Sequence, residues 1–181
     1  MFISSYGLTN VGRKRPHNED FFLVDNDNKI YIVCDGMGGA NAGEVASQMA
    51  VEIIGGRIRE KIEEIRELSS QNTFDSKQKI KTIISDAVSE ASLRIFEIAS
   101  REESKKGMGT TLVMLIICGE NAFVSSVGDS RAYLIRDNQV YQITEDHTLV
   151  QEQLNRGLIK PEEAKNVKYV NVITRAVGVM E

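Results

Sequence analysis

Four β-rich runs that follow one another closely in the second half of the chain constrain the fold more than any other feature. They span residues 110–118, 122–127, 131–136 and 139–144. The breaks between them are short and rich in Gly, Asp and Asn, residues that favour turns. Because a parallel crossover needs about a dozen residues or more, we expect these strands to form an antiparallel sheet.

Two long helical patterns precede these strands. Apolar residues recur at helical spacing over 42–68, and the paired glycines at 55–56 mark a point where we expect this helix to weaken or kink. After a polar linker, a second apolar stripe runs over 80–99, with Asp75 or Ser76 as the expected N-cap. Grouped helices followed by grouped strands indicate an α+β layered fold rather than a doubly wound one.

An earlier pair of β-rich runs predicts a hairpin near the N-terminus. The runs at 21–24 and 29–34 flank the turn-forming sequence Asp-Asn-Asp-Asn. In a hairpin built on that turn, residue numbers across the two strands sum to about 55, so Asp20 faces Asp35. Glu19 is the neighbour of Asp20, and the open end of the hairpin is therefore expected to gather three carboxylates.

Carboxylates opposite one another on paired strands repel, and three outcomes would relieve this repulsion. One carboxylate takes up a proton, all of them point into water, or a divalent cation binds between them. Oxygen ligands beside the glycine-rich backbone at Gly36, Gly38 and Gly39 favour the cation. On spacing alone, the metal site and the solvated turn both stay open. Asp129, between Gly128 and Ser130, is by itself typical of a turn former.

Glycines ahead of a helix also cradle phosphates, so the segment 35–39 has to be compared with nucleotide-binding loops. It lacks the Gly-Lys-Ser/Thr ending of the P-loop and the G-x-G-x-x-G spacing of dinucleotide-binding folds. A carboxylate at its start would also repel a phosphate unless a metal lay between them. Nucleotide binding is therefore a remote alternative.

Charge and hydropathy exclude several other classes. The formal net charge is −4, so there is no overall basic field for nucleic acid or an anionic membrane, although residues 13–15 form a local basic spot. The longest apolar run, 112–118, is far shorter than the roughly 20 residues that span a bilayer. The first residues do not resemble a signal peptide.

We expect one domain over 1–181, located in the cytoplasm, with Cys34 and Cys118 as reduced core thiols.

Six segments, in order, carry a resemblance to a known family. They are TNVGRKRPHNED (9–20), DGMGG (35–39), GMGTT (107–111), GDSRAY (128–133), DHTLV (146–150) and VITRAVG (172–178). Together they resemble the metal-dependent serine/threonine protein phosphatases of type 2C in their bacterial form. That family's fold is a pair of antiparallel sheets packed face to face with helices outside, an αββα arrangement in four layers, which agrees with the α+β class expected above.

The resemblance implies hydrolysis of phosphoserine and phosphothreonine in proteins by a water that two Mn2+ or Mg2+ ions activate, with a third, weaker ion in bacterial members. Asp35 would bridge both metals, and the carbonyl of Gly36 would contact one of them. Glu19 and Asp20 would bind metal directly or through water. Asp129 would help to hold the third ion. The ions would supply the counter-charge that the hairpin lacks.

The resemblance also implies catalytic roles for Arg15 and Asp35, with the Arg15 guanidinium holding the substrate phosphate as a bidentate fork. Met37 stands where many members have a histidine, so the general acid is not assigned. His147 is expected to make a structural hydrogen bond. Residues 145–168 resemble the mobile flap beside the active site.

The family's domain continues past the end of this sequence and supplies further metal-binding aspartates and its final strands. We therefore expect a domain that is incomplete at its C-terminus. The expected partners are phosphorylated proteins, substrates of a serine/threonine kinase, and neither nucleic acid nor membrane. The alternative is a phosphatase-like module with weak or no catalysis that binds phosphoproteins.

Overall fold

The N-terminal hairpin forms with the expected register. The computed structural model describes residues 3–38, 42–165, 167, 169 and 171–179. Strand β1, Asp20–Asp25, pairs antiparallel with β2, Ile30–Met37, and Asp20 lies opposite Asp35. The turn between them closes because the backbone N–H of Asn28 donates to the Asp25 carboxylate at 3.0 Å. A turn of this length determines which residues meet across the ribbon.

The hairpin is one edge of a five-stranded antiparallel sheet. Its other strands are β3 (Gly109–Thr110), β4 (Leu112–Cys118) and β5 (Asn121–Val127). The strand order is β1-β2-β4-β5, with β3 also paired to β2. Strands β6 (Tyr133–Arg136) and β7 (Gln139–Gln142) form a separate two-stranded sheet. Every named pair is antiparallel, which confirms the antiparallel pairing predicted from the short connections. The expectation that all four late runs share one sheet was wrong, because β6 and β7 pair only with each other.

Three long helices pack on one face of the larger sheet. They are α1 (Ala42–Glu60), α2 (Ile62–Gln71) and α3 (Phe74–Arg101). Their apolar stripes meet alternate residues of β2 and β4 in one core, which includes Ile30, Ile32, Cys34, Ile54, Ile58, Ile65, Ile80, Ile95, Leu112, Met114 and Ile116. On the opposite face of β2, Val33 is 52% exposed. The period-2 pattern of the strands therefore turns one face to the helices.

The expected kink at the paired glycines was wrong. The first helical segment is interrupted at Lys61, between α1 and α2, and continues through residues 55–56. Gly55 instead permits close packing, because a Cβ there would lie 2.9 Å from Cδ2 of Leu23 on β1. Its missing side chain lets α1 approach the sheet.

The expected N-cap of the second long helix was also wrong. The cap is Thr73, whose Oγ1 accepts from the backbone N–H of Ser76 at 3.1 Å. The Ser76 hydroxyl in turn accepts from the Thr73 backbone N–H at 3.1 Å. This reciprocal pair is a capping box, with serine in place of the usual Glu or Gln.

The α+β class and the antiparallel sheet with flanking helices are confirmed. The described residues supply one helical layer, the five-stranded sheet and the small second sheet. Both cysteines are buried free thiols, as predicted, and burial raises the pKa of Cys34 to about 12. Across the described part of the chain, none of the helices is both long enough and apolar enough to cross a bilayer.

The segment after the second sheet contains two short helices, α4 (Leu149–Asn155) and α5 (Pro161–Ala164). The cap of α4 is Thr148, whose Oγ1 accepts from the Gln151 N–H at 3.2 Å. The nearby Asp146 carboxylate forms an ion pair with Arg131 at 2.5 Å. Of the segment expected to be a flap, residues 166 and 168 lie outside the described residues. The mobility of this segment stays a prediction.

Candidate metal centre

Four residues form a row across the end of the larger sheet. Asp20 of β1 lies opposite Asp35 of β2. Asp35 also lies opposite Thr111, the residue between β3 and β4. The pairing of β2 with β3 and the pairing of β2 with β4 both lead to this position. If the pairing of β4 with β5 is continued by one residue, Thr111 lies opposite Gly128. The two acidic strand ends and the turn that carries Asp129 therefore meet along one line.

The carboxylate of Asp20 is held by a threonine from the N-terminal segment. Thr9 Oγ1 donates to Oδ2 of Asp20 at 2.9 Å and accepts from Nδ2 of Asn18 at 2.9 Å. The Oδ1 of Asn18 accepts from the Asp20 backbone N–H at 3.2 Å. Sequence reasoning gave Thr9 and Asn18 no role, although both lie in the first of the six segments. Their hydrogen bonds hold the backbone and the carboxylate of Asp20 in place.

Glu19 is held through its backbone carbonyl, which leaves its carboxylate available. The carbonyl accepts from the Ser47 hydroxyl at 2.6 Å and from the Gly36 N–H at 3.0 Å. The carboxylate pairs with the Arg15 guanidinium at 3.3 Å, and the two side chains are 17% and 74% exposed. Most of Arg15 is therefore open to an incoming anion.

Gly36 lies inside β2, opposite Thr110. A Cβ at Gly36 would collide with the carbonyl oxygen of Gly43, and one at Gly43 would lie 2.6 Å from Oε1 of Glu19. Both glycines are needed because the start of α1 packs directly on the strand. Sequence reasoning gave Gly43 no role. Gly39 lies outside the described residues.

Asp35 is the electrostatic centre of the group. Solvent reaches its side chain, but partial burial and then the negative charges of Asp20 and Asp129 raise its pKa. Arg15 opposes this shift, while Glu19 adds to it. The residues that the sequence singled out therefore lie close enough to act on one another. Their net effect at Asp35 is an excess of negative charge.

The turn that carries Asp129 is anchored by its neighbour Gly128. The Gly128 N–H donates to Nδ1 of His147 at 3.3 Å, and the His147 N–H donates to the Gly128 carbonyl at 2.9 Å. Gly128 has φ +93°, a conformation that suits glycine. The structural hydrogen bond expected of His147 is present. The bond requires an unprotonated Nδ1.

The donors in this group suit a divalent cation in chemistry and in charge. Carboxylate and carbonyl oxygens are the ligands that hard cations prefer. Partial burial and then the negative charges of Asp20 and Asp129 raise the pKa of Asp35, and a bound cation would offset both effects. Within the residues that the structure describes, no three His, Cys, Asp or Glu side chains form a ready-made ligand cluster. Like charges without a cation between them are expected to keep apart.

Comparisons with known proteins identify the family of this chain. The sequence model of the family described as protein phosphatase 2C matches residues 9–171. The serine/threonine phosphatase stp of Listeria welshimeri is 38% identical over 174 residues, which cover 94% of this chain and 65% of that protein. The chain thus spans slightly less than two thirds of the length of this curated relative.

Solved structures show the same relationship. The serine/threonine phosphatase Stp1 from Staphylococcus aureus superposes with a TM-score of 0.79 at 30% identity, covering 94% of this chain and 64% of that one. The catalytic domain of the serine/threonine protein phosphatase PstP, described in complex with 2 manganese ions, superposes with a TM-score of 0.68 at 32% identity, with the same coverage of both chains. Sequence match, fold and acidic row together establish that the chain belongs to the protein phosphatase 2C family.

Proposed function

We propose that this chain carries the catalytic residues of a metal-dependent phosphatase that removes phosphate from serine and threonine side chains of proteins. The observation that carries the proposal is the pairing of Asp20 with Asp35 on a row that leads to the Asp129 turn. Family membership supports it. The chain spans only 65% of the first matched relative. The activity of that relative therefore does not establish activity here, and it has to be measured on this chain.

Asp35 is the central metal ligand in this proposal. It lies between Asp20 and the Asp129 turn in the register of the sheet, and the negative charges of both residues act on it. Asp20, Glu19 and the carbonyl of Gly36 would complete one side, and Asp129 would hold a further ion. Bound Mn2+ or Mg2+ would supply Lewis-acid chemistry, activating a water and stabilising negative charge on the phosphoryl oxygens. The manganese in the PstP structure supports this choice of ion.

Arg15 is the proposed phosphate ligand. Its guanidinium is mostly exposed and already pairs with a carboxylate of the group, so it lies beside the acidic row. A phosphate dianion would compete with Glu19 for the same donors, and the planar fork of arginine suits two phosphate oxygens. Arg15 would thereby orient the phosphorus toward the metals and stabilise charge in the transition state.

The proposed substrates are phosphoproteins made by a serine/threonine kinase. Arg15 and the acidic group recognise the phosphate and the metals, and the described contacts do not select a particular protein sequence. A cytoplasmic location is proposed because both thiols are free and buried, a state typical of reducing compartments.

The test is phosphate release from an aryl phosphate and from a phosphothreonine peptide, with Mn2+ and with excess chelator. We expect release with Mn2+ and none with chelator, and Asp35→Asn abolishes it. Asp27→Asn, in the exposed hairpin turn, is the matched control and keeps full activity. Equal turnover in chelator, or phosphopeptide binding without turnover at any metal concentration, would contradict the proposal.

A further inference from the structure

Thr111 lies in the middle of the acidic row, between Asp35 and the Asp129 turn. We propose that the hydroxyl pair of Thr111 and Ser130 positions Asp129 relative to Asp35 and thereby sets the affinity of the site for its cation. The part about the cation rests on the proposed function. The part about the position of the turn stands on hydrogen bonds that involve no metal.

On the side of Asp35, the hydroxyl of Thr111 accepts a hydrogen bond that a backbone carbonyl would accept in a regular strand pair. The Thr111 N–H donates to the Asp35 carbonyl at 2.9 Å, as in an ordinary antiparallel pair. The Asp35 N–H donates not to the Thr111 carbonyl but to its Oγ1, at 3.0 Å. The strand is interrupted at this residue, between β3 and β4. The hydroxyl of Thr111 is therefore the direct support of the Asp35 backbone.

On the other side, the same hydroxyl meets the turn. Thr111 Oγ1 and Ser130 Oγ lie 2.7 Å apart, and a hydroxyl can donate one hydrogen bond while it accepts another. The Thr111 methyl group packs on Gly128, where a Cβ would lie 2.7 Å from it. Asp129 stands between these two contacts in the sequence. One side chain thus touches both neighbours of Asp129 and the backbone of Asp35.

Burial makes this link sensitive to substitution. Thr111 is 4% exposed, and its bond to the Asp35 N–H is partly buried. Loss of the hydroxyl would leave this donor without its protein partner, which costs stability. Thr111→Val removes both hydrogen bonds and keeps the methyl packing. Ser130→Ala removes only the link to the turn. Thr111→Ser keeps both hydrogen bonds and removes only the methyl group, so it should behave like the wild type if the hydroxyl rather than the methyl holds the turn.

Thr110 is the matched control. It is the preceding residue, is 0% exposed, and its Oγ1 donates to the Thr111 carbonyl at 3.0 Å. Its hydroxyl takes no part in the two hydrogen bonds that the Thr111 hydroxyl makes with Asp35 and Ser130, so its loss leaves the proposed link intact. Thr110→Val tests whether any lost buried threonine hydroxyl produces the same effect.

The first measurement is hydrogen–deuterium exchange of residues 126–131 in the full chain without metal. We expect faster exchange in Thr111→Val and in Ser130→Ala, and wild-type exchange in Thr110→Val and Thr111→Ser. The Thr111→Val/Ser130→Ala double variant should exchange no faster than Thr111→Val, because both substitutions break the same link. Unchanged exchange in Ser130→Ala would overturn the proposed link, even if Thr111→Val failed to fold.

The second measurement is Mn2+ binding by calorimetry. Substitutions in residues that orient metal ligands commonly weaken binding about tenfold or more, and we expect this for Thr111→Val and Ser130→Ala but not for Thr110→Val. Faster exchange with unchanged Mn2+ affinity would show a purely structural link and overturn the positioning role. A wild-type chain that binds no Mn2+ would instead refute the proposed function, and the exchange measurement would still decide whether the hydroxyl pair holds the turn.

Discussion

Asp20 and Asp35 are direct cross-strand partners in the N-terminal hairpin. Opposed like charges destabilise a strand pair, and partial burial followed by the charge of Asp20 raises the pKa of Asp35, which disfavours its charged form. A fold that retains this pair is less stable without a counter-ion than it would be with a neutral residue. The relationship links metal binding to stability and can be measured without substrate.

The first prediction concerns Asp35→Asn. It should raise the free energy of unfolding of the metal-free chain by up to about 1 kcal/mol and abolish the rise in Tm that Mn2+ gives the wild type. Urea and thermal unfolding, each with Mn2+ and with chelator, check both effects. A variant less stable than wild type in chelator would show that the Asp20–Asp35 repulsion is unimportant.

A second prediction concerns the substrate phosphate. Arg15→Ala should raise KM for an aryl phosphate about tenfold or more, because it removes a hydrogen bond between two charged groups. Arg15→Lys should recover only part of this, since an ammonium group lacks the planar fork. The neighbouring exposed Arg13 provides the control, and steady-state kinetics of Arg13→Ala should match wild type. Equal effects of the two alanine substitutions would refute a specific role for Arg15.

The third prediction concerns Asp25 and Arg59, which join the hairpin to α1. Arg59 lies on the exposed face of α1, and its Nε donates to Oδ2 of Asp25 at 2.6 Å. Burial raises the pKa of Asp25, but the hydrogen bonds from Arg59 and Asn28 outweigh it and lower that pKa from 3.8 to about 2.

Because the folded pKa is the lower one, the stabilisation by Asp25 is fully present above pH 3.8 and is lost as the pH falls toward 2. At pH 7, Asp25→Asn should lower the free energy of unfolding by about 1–2 kcal/mol, with little further loss between pH 4 and 2 from this position. Urea unfolding across this pH range measures both. In the exposed pair of Arg57 with Glu90, Glu90→Gln should change stability little, and an equal loss there would contradict the argument.

A fourth prediction concerns His147. Burial and then the charge of Arg175 lower its pKa below 6.5, and its Nδ1 accepts from the Gly128 N–H only when unprotonated. The histidine therefore favours the fold fully above pH 6.5, and this contribution declines as the pH falls below that value. His147→Asn, which keeps an acceptor that does not titrate near neutrality, should flatten the pH dependence of unfolding. An NMR titration of His147 with an unshifted or raised pKa would contradict it.

Much of the fold could be predicted because it depends on neighbours in the sequence. The periods of the helices and strands, the short connections and the hairpin register all follow from local residues. The acidic pair at 20 and 35 was found in this way, since one turn determines the pairing of the whole ribbon. The roles of Arg15, Glu19, Asp20, Asp35, Gly36 and Asp129 as ligands stay predictions, because they came from the family resemblance.

Other features depend on which distant segments come into contact. Three contacts join parts of the chain that no local pattern connects. They are the hydrogen bonds of the Thr111 hydroxyl with Asp35 and Ser130, the bond of Arg59 to Asp25, and the close packing that requires glycine at 43. The sequence alone determined the strands, the helices and the carboxylates at one hairpin end. How those carboxylates are supported follows from the fold, because hydrogen bonding and close packing between distant segments depend on their final distances.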